Sequence, residues 1–590
     1  MSVSKNKVLG FHTGHDVSYC ILENGIPIIH EELERFIRQK EPKGCGLKFA
    51  FDKIPDEIIS DIKYFTHGNP RWAYSKDPIN FNPLWEPTPT KENLKYIVGK
   101  LNKMQSSYRN EVLRPGPWRS KVPNFHLDDQ VKSIITKNKG KFPIIGHHQS
   151  HAANAFFSSN FNEALIITID GKGAEKKDHT NLKDFHEVPA FYTCFTIWRG
   201  KNNKIEPIVR IPLEELTLGS VWKKYAREIF NLPYGSPKGF AGGTVMAMAS
   251  AGNPKYYDDF YNAFIKHKEK KIKNQITETY KKYKPIADEN EQNRFDIAAS
   301  LQKATEQIIY ETIKPYINEY QPINICLAGG VTLNSVMMGK MYDWFESIEN
   351  IFIPPVPYDG GLSIGSAQYV WHHVLGNPRV KWDTCPSPYL GVTYSKEEIL
   401  KSLNDNNIKY KKTTEEEVLN LLDNQKIISL FHGKAESGKR ALGNRSIIAD
   451  PRNPNMKSLI NERVKHRQWF RPFAPSILRE DVKDWFTKDI DSPYMNFVLP
   501  FKEEVKNKVP AVVHLDGTGR LQTVTEKNNK WYYNFIKKWK EKTNIPILLN
   551  TSFNDREPIV ETPEHAIKCF MGTDIDYLYF SDYNLLVKKQ

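Results

Sequence analysis

Apolar positions in this 590-residue chain fall into short runs separated by polar turns. KVLGFH (7–12) and DVSYCILENGIPIIHEE (16–32) read as strands, and Asn24-Gly25 between two β-rich runs is a strong hairpin signal. Further apolar strands are expected at FPIIG (142–146), EALIITID (163–170), INICLAG (323–329) and NIFIPPV (350–356). A helical pattern occupies FDIAASLQKATEQIIYETIKPYI (295–317). Strands alternating with helices predict α/β sheets. Residues 70–125 are rich in Pro, Trp and Asn with little periodicity, and read as a loop-rich insertion. Near 376–395 Pro, Gly and Ser cluster and the pattern fades, which places the main boundary there. A new α/β unit then begins with KEEILKSLNDNN (396–407) as a helix and KIISLFHG (426–433) as a buried strand. The expected domains are 1–385 and 386–590.

Composition narrows the class. Hydrophobic residues at 39% and aromatics at 12% suffice for cores, and 26% charged residues argue against wholesale disorder. No run approaches the length of a bilayer span, so an integral membrane protein is not expected. The first residues, MSVSKNKVLGFHTGHD, lack the apolar stretch of a signal peptide, and a cytoplasmic protein is expected. Six scattered cysteines without a C-x-x-C pair exclude a disulfide scaffold and a zinc ribbon. The formal charge of +14 favours phosphate-bearing partners, either nucleic acid or small anions, unless it reflects only a Lys-rich composition. The dense run at 266–284 reads as a solvated helix face.

Three Gly-rich turns follow apolar strands: Thr13-Gly14-His15-Asp16, Asp170-Gly171-Lys172-Gly173 and Gly329-Gly330-Val331, the last leading to Asn334. Glycine lets backbone approach phosphate oxygens, and a strand-end Asp orients a hydrated cation on them. Each turn alone is an ordinary strand-to-helix connection; three in one domain, two with Asp, point to a nucleotide. A sharper signal is Gly146-His147-His148-Gln149-Ser150-His151-Ala152. If a helix opens here, His147 and His151 share a face one turn apart, which is ligand spacing for a divalent transition metal. Asp359, after the strand at 350–356, supplies a third candidate. A lone H-x-x-x-H is more often a pair of surface or satisfied core histidines; three histidines in five residues beside phosphate-type loops shift that balance.

The densest chemistry lies in 436–471, where Lys439, Arg440, Arg445, Arg452, Lys457, Arg463, Lys465, His466, Arg467 and Arg471 stand among few acids. They are interleaved with Trp469, Phe470 and Phe473, unlike a solvated charge run. Convergent Arg and Lys near apolar walls suit a dry phosphate pocket; nucleic-acid binding is the competing reading. HLDGTGRLQT (514–523) and the apolar strand IPILLNTSFN (545–554) follow, and α/β sheets collect ligands at strand ends.

These pieces carry a resemblance. GHDVS (14–18), ELERFIR (32–38), GHHQSHAANAFF (146–157), ITIDGKG (167–173), GTVMAMASAG (243–252), IAASLQ (297–302), LAGGVTLNS (327–335) and PPVPYDGGLSIGSA (354–367), in this order, resemble the NodU/CmcH family of O-carbamoyltransferases. The likeness runs nearly to the C-terminus. It implies an α/β protein with an actin/Hsp70-like, ribonuclease H-type, two-lobed N-terminal domain followed by a YrdC-like α/β domain. It implies metal ligands His147, His151 and Asp359 for Fe(II), a transfer site at His15 and Asp16, and nucleotide contacts at Asp170, Gly171, Gly173, Gly329, Gly330 and Asn334. Arg440, Lys465, Arg471, Arg520, Asn550 and Ser552 would bind carbamoyl phosphate and ATP, the latter with Mg(II). The chain departs from the family at Lys40-Glu41-Pro42-Lys43, where Lys-His-Asp is usual, and at Gly243-Thr244-Val245-Met246-Ala247-Met248-Ala249, where G-K-V-M-G-L-A is usual. Both departures lie on the acceptor side.

The expected activity is ATP-dependent O-carbamoyl transfer through carbamoyl-AMP to an acceptor hydroxyl. The acceptor is a natural product, a sugar or a hydroxymethylated nucleotide or nucleic acid. His15 is the expected general base, since imidazole titrates near neutrality and Asp16 is beside it to orient the ring. The alternatives are a tRNA threonylcarbamoyl-type transferase, which the fused C-terminal domain disfavours, and an ATPase or phosphotransferase of the actin/Hsp70 superfamily, which leaves 436–471 without a role.

Overall fold

A computed structural model describes residues 7–12, 15–42, 54–68, 145–175, 191–233, 235, 238–265, 272–383 and 385–589. The expected insertion at 70–125, Thr13, Gly14, Lys43, residues 142–144 of the predicted strand and 266–271 of the basic run lie outside them.

The Asn24-Gly25 hairpin forms as expected. Strands β1 (Lys7–His12), β2 (Ser18–Glu23) and β3 (Ile26–Glu32) make an antiparallel meander, with φ of 51° at Asn24 and 86° at Gly25. Strand β4 (Ile62–His67) lies parallel to β1, and the order is β3-β2-β1-β4. The arrangement recurs in a second sheet: β5 (Glu163–Glu175), β6 (Phe191–Lys201) and β7 (Lys204–Pro212) are antiparallel, and β8 (Asn324–Ala328) and β9 (Asn350–Phe352) extend it in parallel, giving β7-β6-β5-β8-β9. Two sheets with one strand order are the two lobes of the ribonuclease H-type, actin/Hsp70-like fold. In β5 the alternation is plain. Leu165, Ile167 and Ile169 face one core, while Ala164 and Ile166 face the other. A strand buried on both faces reads as an unbroken apolar run, which is why EALIITID stood out.

The first lobe begins helix α1 (Leu33–Ile37) directly after β3. Between the lobes, α2 (His147–Phe157) crosses the helix that follows Asp359. Within the second lobe, α3 (Gly219–Glu228) packs on β5, α4 (Gly242–Ala249) and α5 (Ile272–Glu289) pack against the long α6 (Glu291–Tyr320), α7 (Ser335–Trp344) packs on a strand of the C-terminal half, and α8 (Leu362–Gln368) returns to the first lobe. Small residues set the approach of α8. A Cβ on Gly365 would sit 1.8 Å from the Ser150 carbonyl, and one on Gly10 2.1 Å from that of Ser363. The H-x-x-x-H helix and the Asp359 turn are thereby pressed together.

After α9 (Lys396–Asp405) one nine-stranded mixed sheet builds the C-terminal half, in the order β10-β18-β17-β11-β12-β16-β13-β15-β14. Its strands are β10 (Tyr410–Lys412), β11 (Ile428–Phe431), β12 (Ser446–Ala449), β13 (Ala474–Leu478), β14 (Phe497–Pro500), β15 (Thr518–Val524), β16 (Ile547–Ser552), β17 (Tyr577–Phe580) and β18 (Leu585–Lys588). The halves share a core. On α7 a Cβ at Gly339 would lie 2.0 Å from the Val498 carbonyl of β14, so only glycine permits this contact. Among the described residues, no helix is long and apolar enough to cross a membrane.

Candidate functional site

The helix expected after Gly146 is present, and it begins at His147 itself. Its first N–H groups are orphan donors. Buried Glu175 accepts from the amides of His148 and Gln149, and burial pushes its carboxyl up to about 7. His147 and His151 then face Asp359 at the start of α8 and Asp170 within β5. His147 Nε2 is 2.9 Å from Asp170 Oδ2 and 3.4 Å from Asp359 Oδ1, and His151 Nε2 is 3.6 Å from Asp359 Oδ1. One ligand atom from each of these four residues lies within 4.8 Å of every other.

This set fits a divalent metal for a reason internal to the protein. His151 is fully buried, yet neither ring nitrogen makes a hydrogen bond. Such an orphan is costly unless something else takes its lone pair. Two imidazoles and two carboxylates suit Fe(II) or a related first-row ion. Asp170, expected among the nucleotide contacts, stands in this group, and its Oδ1 accepts from Gly330 N at 3.0 Å. Gly173 is likewise drawn in, since a Cβ there would meet His148 at 2.4 Å and His147 at 2.7 Å. Gly171 lies beside α3, its carbonyl accepting from Ser220 Oγ at 2.9 Å. Gly329 turns with φ 103° over the Ile169 carbonyl, and Asn334 caps α7 through Met337 N.

Burial alone would lower the pKa of His147, but Asp359 and Asp170 outweigh it and raise the ring from 6.5 to about 10. In the metal-free protein this proton stabilises the fold fully below 6.5, and the contribution is lost as pH climbs through about 10. A metal must displace the proton. Affinity for Co(II), used as a spectroscopic probe, is therefore expected to rise by about tenfold per pH unit across that interval, with one proton released per ion. Calorimetry in buffers of different ionisation enthalpy checks this; an affinity flat with pH contradicts it.

His15 and Asp16 stand beside the metal group. Asp16 adopts a left-handed backbone, φ 57°, unusual away from glycine. His15 Nδ1 is 2.7 Å from Asp16 Oδ2, and its Nε2 is 3.2 Å from Asp359 Oδ2. Buried His12 donates from Nε2 to the His15 carbonyl, 3.0 Å away, and burial holds its ring down at about 3. Sequence reasoning missed one residue here. Lys439, from the C-terminal half, places Nζ 3.0 Å from Asp16 Oδ1 and 4.3 Å from the centre of the Tyr358 ring. The only advance sign was its position in the basic run.

That run separates into two groups. Arg445 donates to the carbonyls of His432, Gly433 and Asn444 and stacks 3.6 Å from the Phe431 ring centre. Arg452 pairs with Asp450 and Asp423. These two are structural. Arg440, Arg467 and Arg471, joined by Arg520 from β15, converge instead. Arg471 Nη1 donates to Thr244 Oγ1 of α4 at 2.7 Å, and Arg520 Nε donates to Ser335 Oγ at the start of α7 at 3.1 Å. Arg467 is tied to Asn461 Oδ1 at 2.7 Å. Among the described residues none of the four has a carboxylate partner within salt-bridge distance. Burial, then Arg440, Arg471 and Arg467, push Arg520 well below its ordinary value; burial and Arg440 hold Arg471 at about 10. Guanidinium keeps its proton in proteins, so this repulsion persists in the unliganded protein and an anion placed here would relieve it.

Lys465, Asn550 and Ser552 sit behind this cluster. Lys465 is 2% exposed, and its ammonium donates to the Ser552 carbonyl at 2.5 Å, the Asn554 carbonyl at 2.8 Å and Asn554 Oδ1 at 2.7 Å. All three donors are engaged, so it braces the end of β16. Asn550 donates to the Ala441 carbonyl, Ser476 Oγ and Gln522 Oε1, fixing the loop after Arg440. Ser552 Oγ donates to Asn554 Oδ1 at 2.7 Å.

Two family profiles match this chain. Residues 7–368 match the family profile described as carbamoyltransferase N-terminus, and residues 419–589 the one described as carbamoyltransferase C-terminus. The Synechocystis protein sll1178 is 34% identical over 629 aligned residues, covering 97% of this chain and 95% of that one. Nodulation protein NolO of Bradyrhizobium diazoefficiens is 33% identical over 465 residues, 76% of this chain and 79% of NolO. Among solved structures, HypF from T. kodakarensis aligns over 63% of this chain and 48% of its own at 12% identity, with a TM-score of 0.30, too low to carry weight. The profile matches and these identities show that the chain belongs to the carbamoyltransferase family.

Proposed function

We propose that the protein is an ATP-dependent O-carbamoyltransferase with two reaction centres, an adenylate-forming one in residues 386–590 and a transfer one in residues 1–385. The observation that carries the reading is the grouping of Arg440, Arg471 and Arg520, without carboxylate partners among the described residues, with Lys439, the residue before Arg440, on Asp16 beside His15. Carbamoyl phosphate and ATP bring many like charges together, and fixed guanidinium groups offset that repulsion. At this centre carbamoyl phosphate and water give carbamate and phosphate. Carbamate attacks the α-phosphorus of ATP, forming carbamoyl-AMP and expelling pyrophosphate. Lys465 and Asn550 hold the loops that aim the arginines and Ser552.

At the second centre the acceptor hydroxyl attacks the carbamoyl carbon, and AMP leaves. Asp16 accepts from His15 Nδ1–H and orients the ring, while Nε2 lies 3.2 Å from Asp359 Oδ2; with Asp359 engaged by a metal, Nε2 would be freed to take the acceptor's proton. His147, His151, Asp170 and Asp359 would hold a divalent ion whose Lewis acidity offsets charge on the departing phosphate. The buried junction between the halves keeps water from a hydrolysable adenylate. Labelled pyrophosphate should exchange into ATP only when carbamoyl phosphate is present, because adenylate formation is reversible. Exchange without carbamoyl phosphate, or none with it, contradicts the reading.

A further inference from the structure

The loop carrying Lys439 belongs to the C-terminal half but is clamped by the N-terminal one. Arg35 Nη2 donates to the carbonyls of Glu436 at 3.0 Å and Gly438 at 2.6 Å, and Gly438 N donates to Glu32 Oε1 at 3.1 Å. Gly438 has φ 94°, and a Cβ there would lie 2.7 Å from the Pro355 carbonyl. Consecutive side chains leave this clamp in two directions. Arg440 joins the arginine cluster, while Lys439 reaches Asp16 at 3.0 Å, with Glu41 at 4.0 Å. Lys40 packs against Gly239 and lies within the field of both Lys439 and Arg471. Arg520 meets Ser335 and feels Arg440 and Arg471, Arg471 feels Arg440, and Lys439 meets Asp16.

Resting on the two-centre reading above, we infer that Lys439, backed by Lys40, is the phosphate seat of the transfer centre, supplied by the C-terminal half, and that it receives the anionic phosphoryl group of carbamoyl-AMP from the arginine cluster. A Lys ammonium has three donors, so it can hold Asp16 and a phosphate oxygen together. Arg440 and Lys439 are adjacent in sequence, so the phosphate changes partners without passing through bulk water. Nearby carboxylates oppose the phosphate less than their number suggests, because burial pushes Glu34 up to about 7. The transfer centre is incomplete without the other half, which accounts for the clamp made by Glu32 and Arg35.

The test compares full-length, Fe(II)-loaded wild type, Lys439→Met and Lys439→Arg in quenched-flow with carbamoyl phosphate and ATP, water serving as the acceptor of the carbamoyl group, following pyrophosphate and AMP separately, with melting curves for each. For Lys439→Met the rate of AMP release relative to pyrophosphate release is expected to fall about tenfold or more, with carbamoyl-AMP accumulating. Lys439→Arg is expected to restore the ratio to within about threefold. An unchanged ratio in the Met variant, or one that the Arg variant leaves just as low, overturns the assignment. A wild type that releases no pyrophosphate from these substrates instead overturns the two-centre reading on which it rests.

Discussion

Replacing His151 with alanine is expected to lower carbamoyl transfer by about a thousandfold or more, while pyrophosphate release stays within about twofold of wild type. The separation follows from position. His151 lies between the lobes of the N-terminal half, whereas the arginine cluster is set by β15 and by the segment before β13. His151 makes no hydrogen bond, so truncation leaves no stranded partner, only a small cavity costing about 1–3 kcal/mol. The variant should fold, bind Co(II) far more weakly than wild type, and still make the adenylate. Loss of pyrophosphate release in step with transfer would show that the two chemistries are not divided between the halves.

The arginine cluster should behave in the opposite sense. Arg520→Met is expected to cut pyrophosphate release by about a thousandfold and yet raise the melting temperature, by about 0.5–2 kcal/mol of stability. Arg520 is buried within the field of Arg440, Arg471 and Arg467, and its Nε donates to Ser335 Oγ rather than to a carboxylate. Removing it relieves repulsion without stranding a carboxylate. Functional sites tolerate such strain because the substrate's charge resolves it. Lys465→Met supplies the contrast. It deletes bonds to two carbonyls and should destabilise by about 1–3 kcal/mol as well as slow the reaction. If Arg520→Met is the less stable of the two, the cluster is structural and the anion pocket is misplaced.

Much of this was legible in the chain. Unbroken apolar runs and the Asn24-Gly25 turn announced the strands, because strands buried on both faces must be apolar throughout. The H-x-x-x-H spacing placed His147 and His151 on one face of a helix that does begin there. Other features depended on contacts distant in sequence. Asp170 reads as a strand-end carboxylate, and only the pairing of β5 with β8 and the packing of α2 bring it to the histidines. The ten basic residues of 436–471 look alike in one dimension. What separates Arg445 and Arg452 from Arg440 and Arg471 is whether a carbonyl or carboxylate from another element meets them. Lys439 was the hardest, since its partner Asp16 lies over four hundred residues away across the junction of the two halves. The 70–125 insertion and the domain division at 385 are not addressed by these contacts.

The most direct test of the central claim is the fate of α-labelled ATP incubated with the Fe(II)-loaded protein and carbamoyl phosphate. Attack at the α-phosphorus yields label in carbamoyl-AMP and AMP, with unlabelled pyrophosphate, and only when carbamoyl phosphate is present; this is the predicted result. Label appearing in ADP, with phosphate released from the γ position, would mark an ATPase or phosphotransferase and contradict the account.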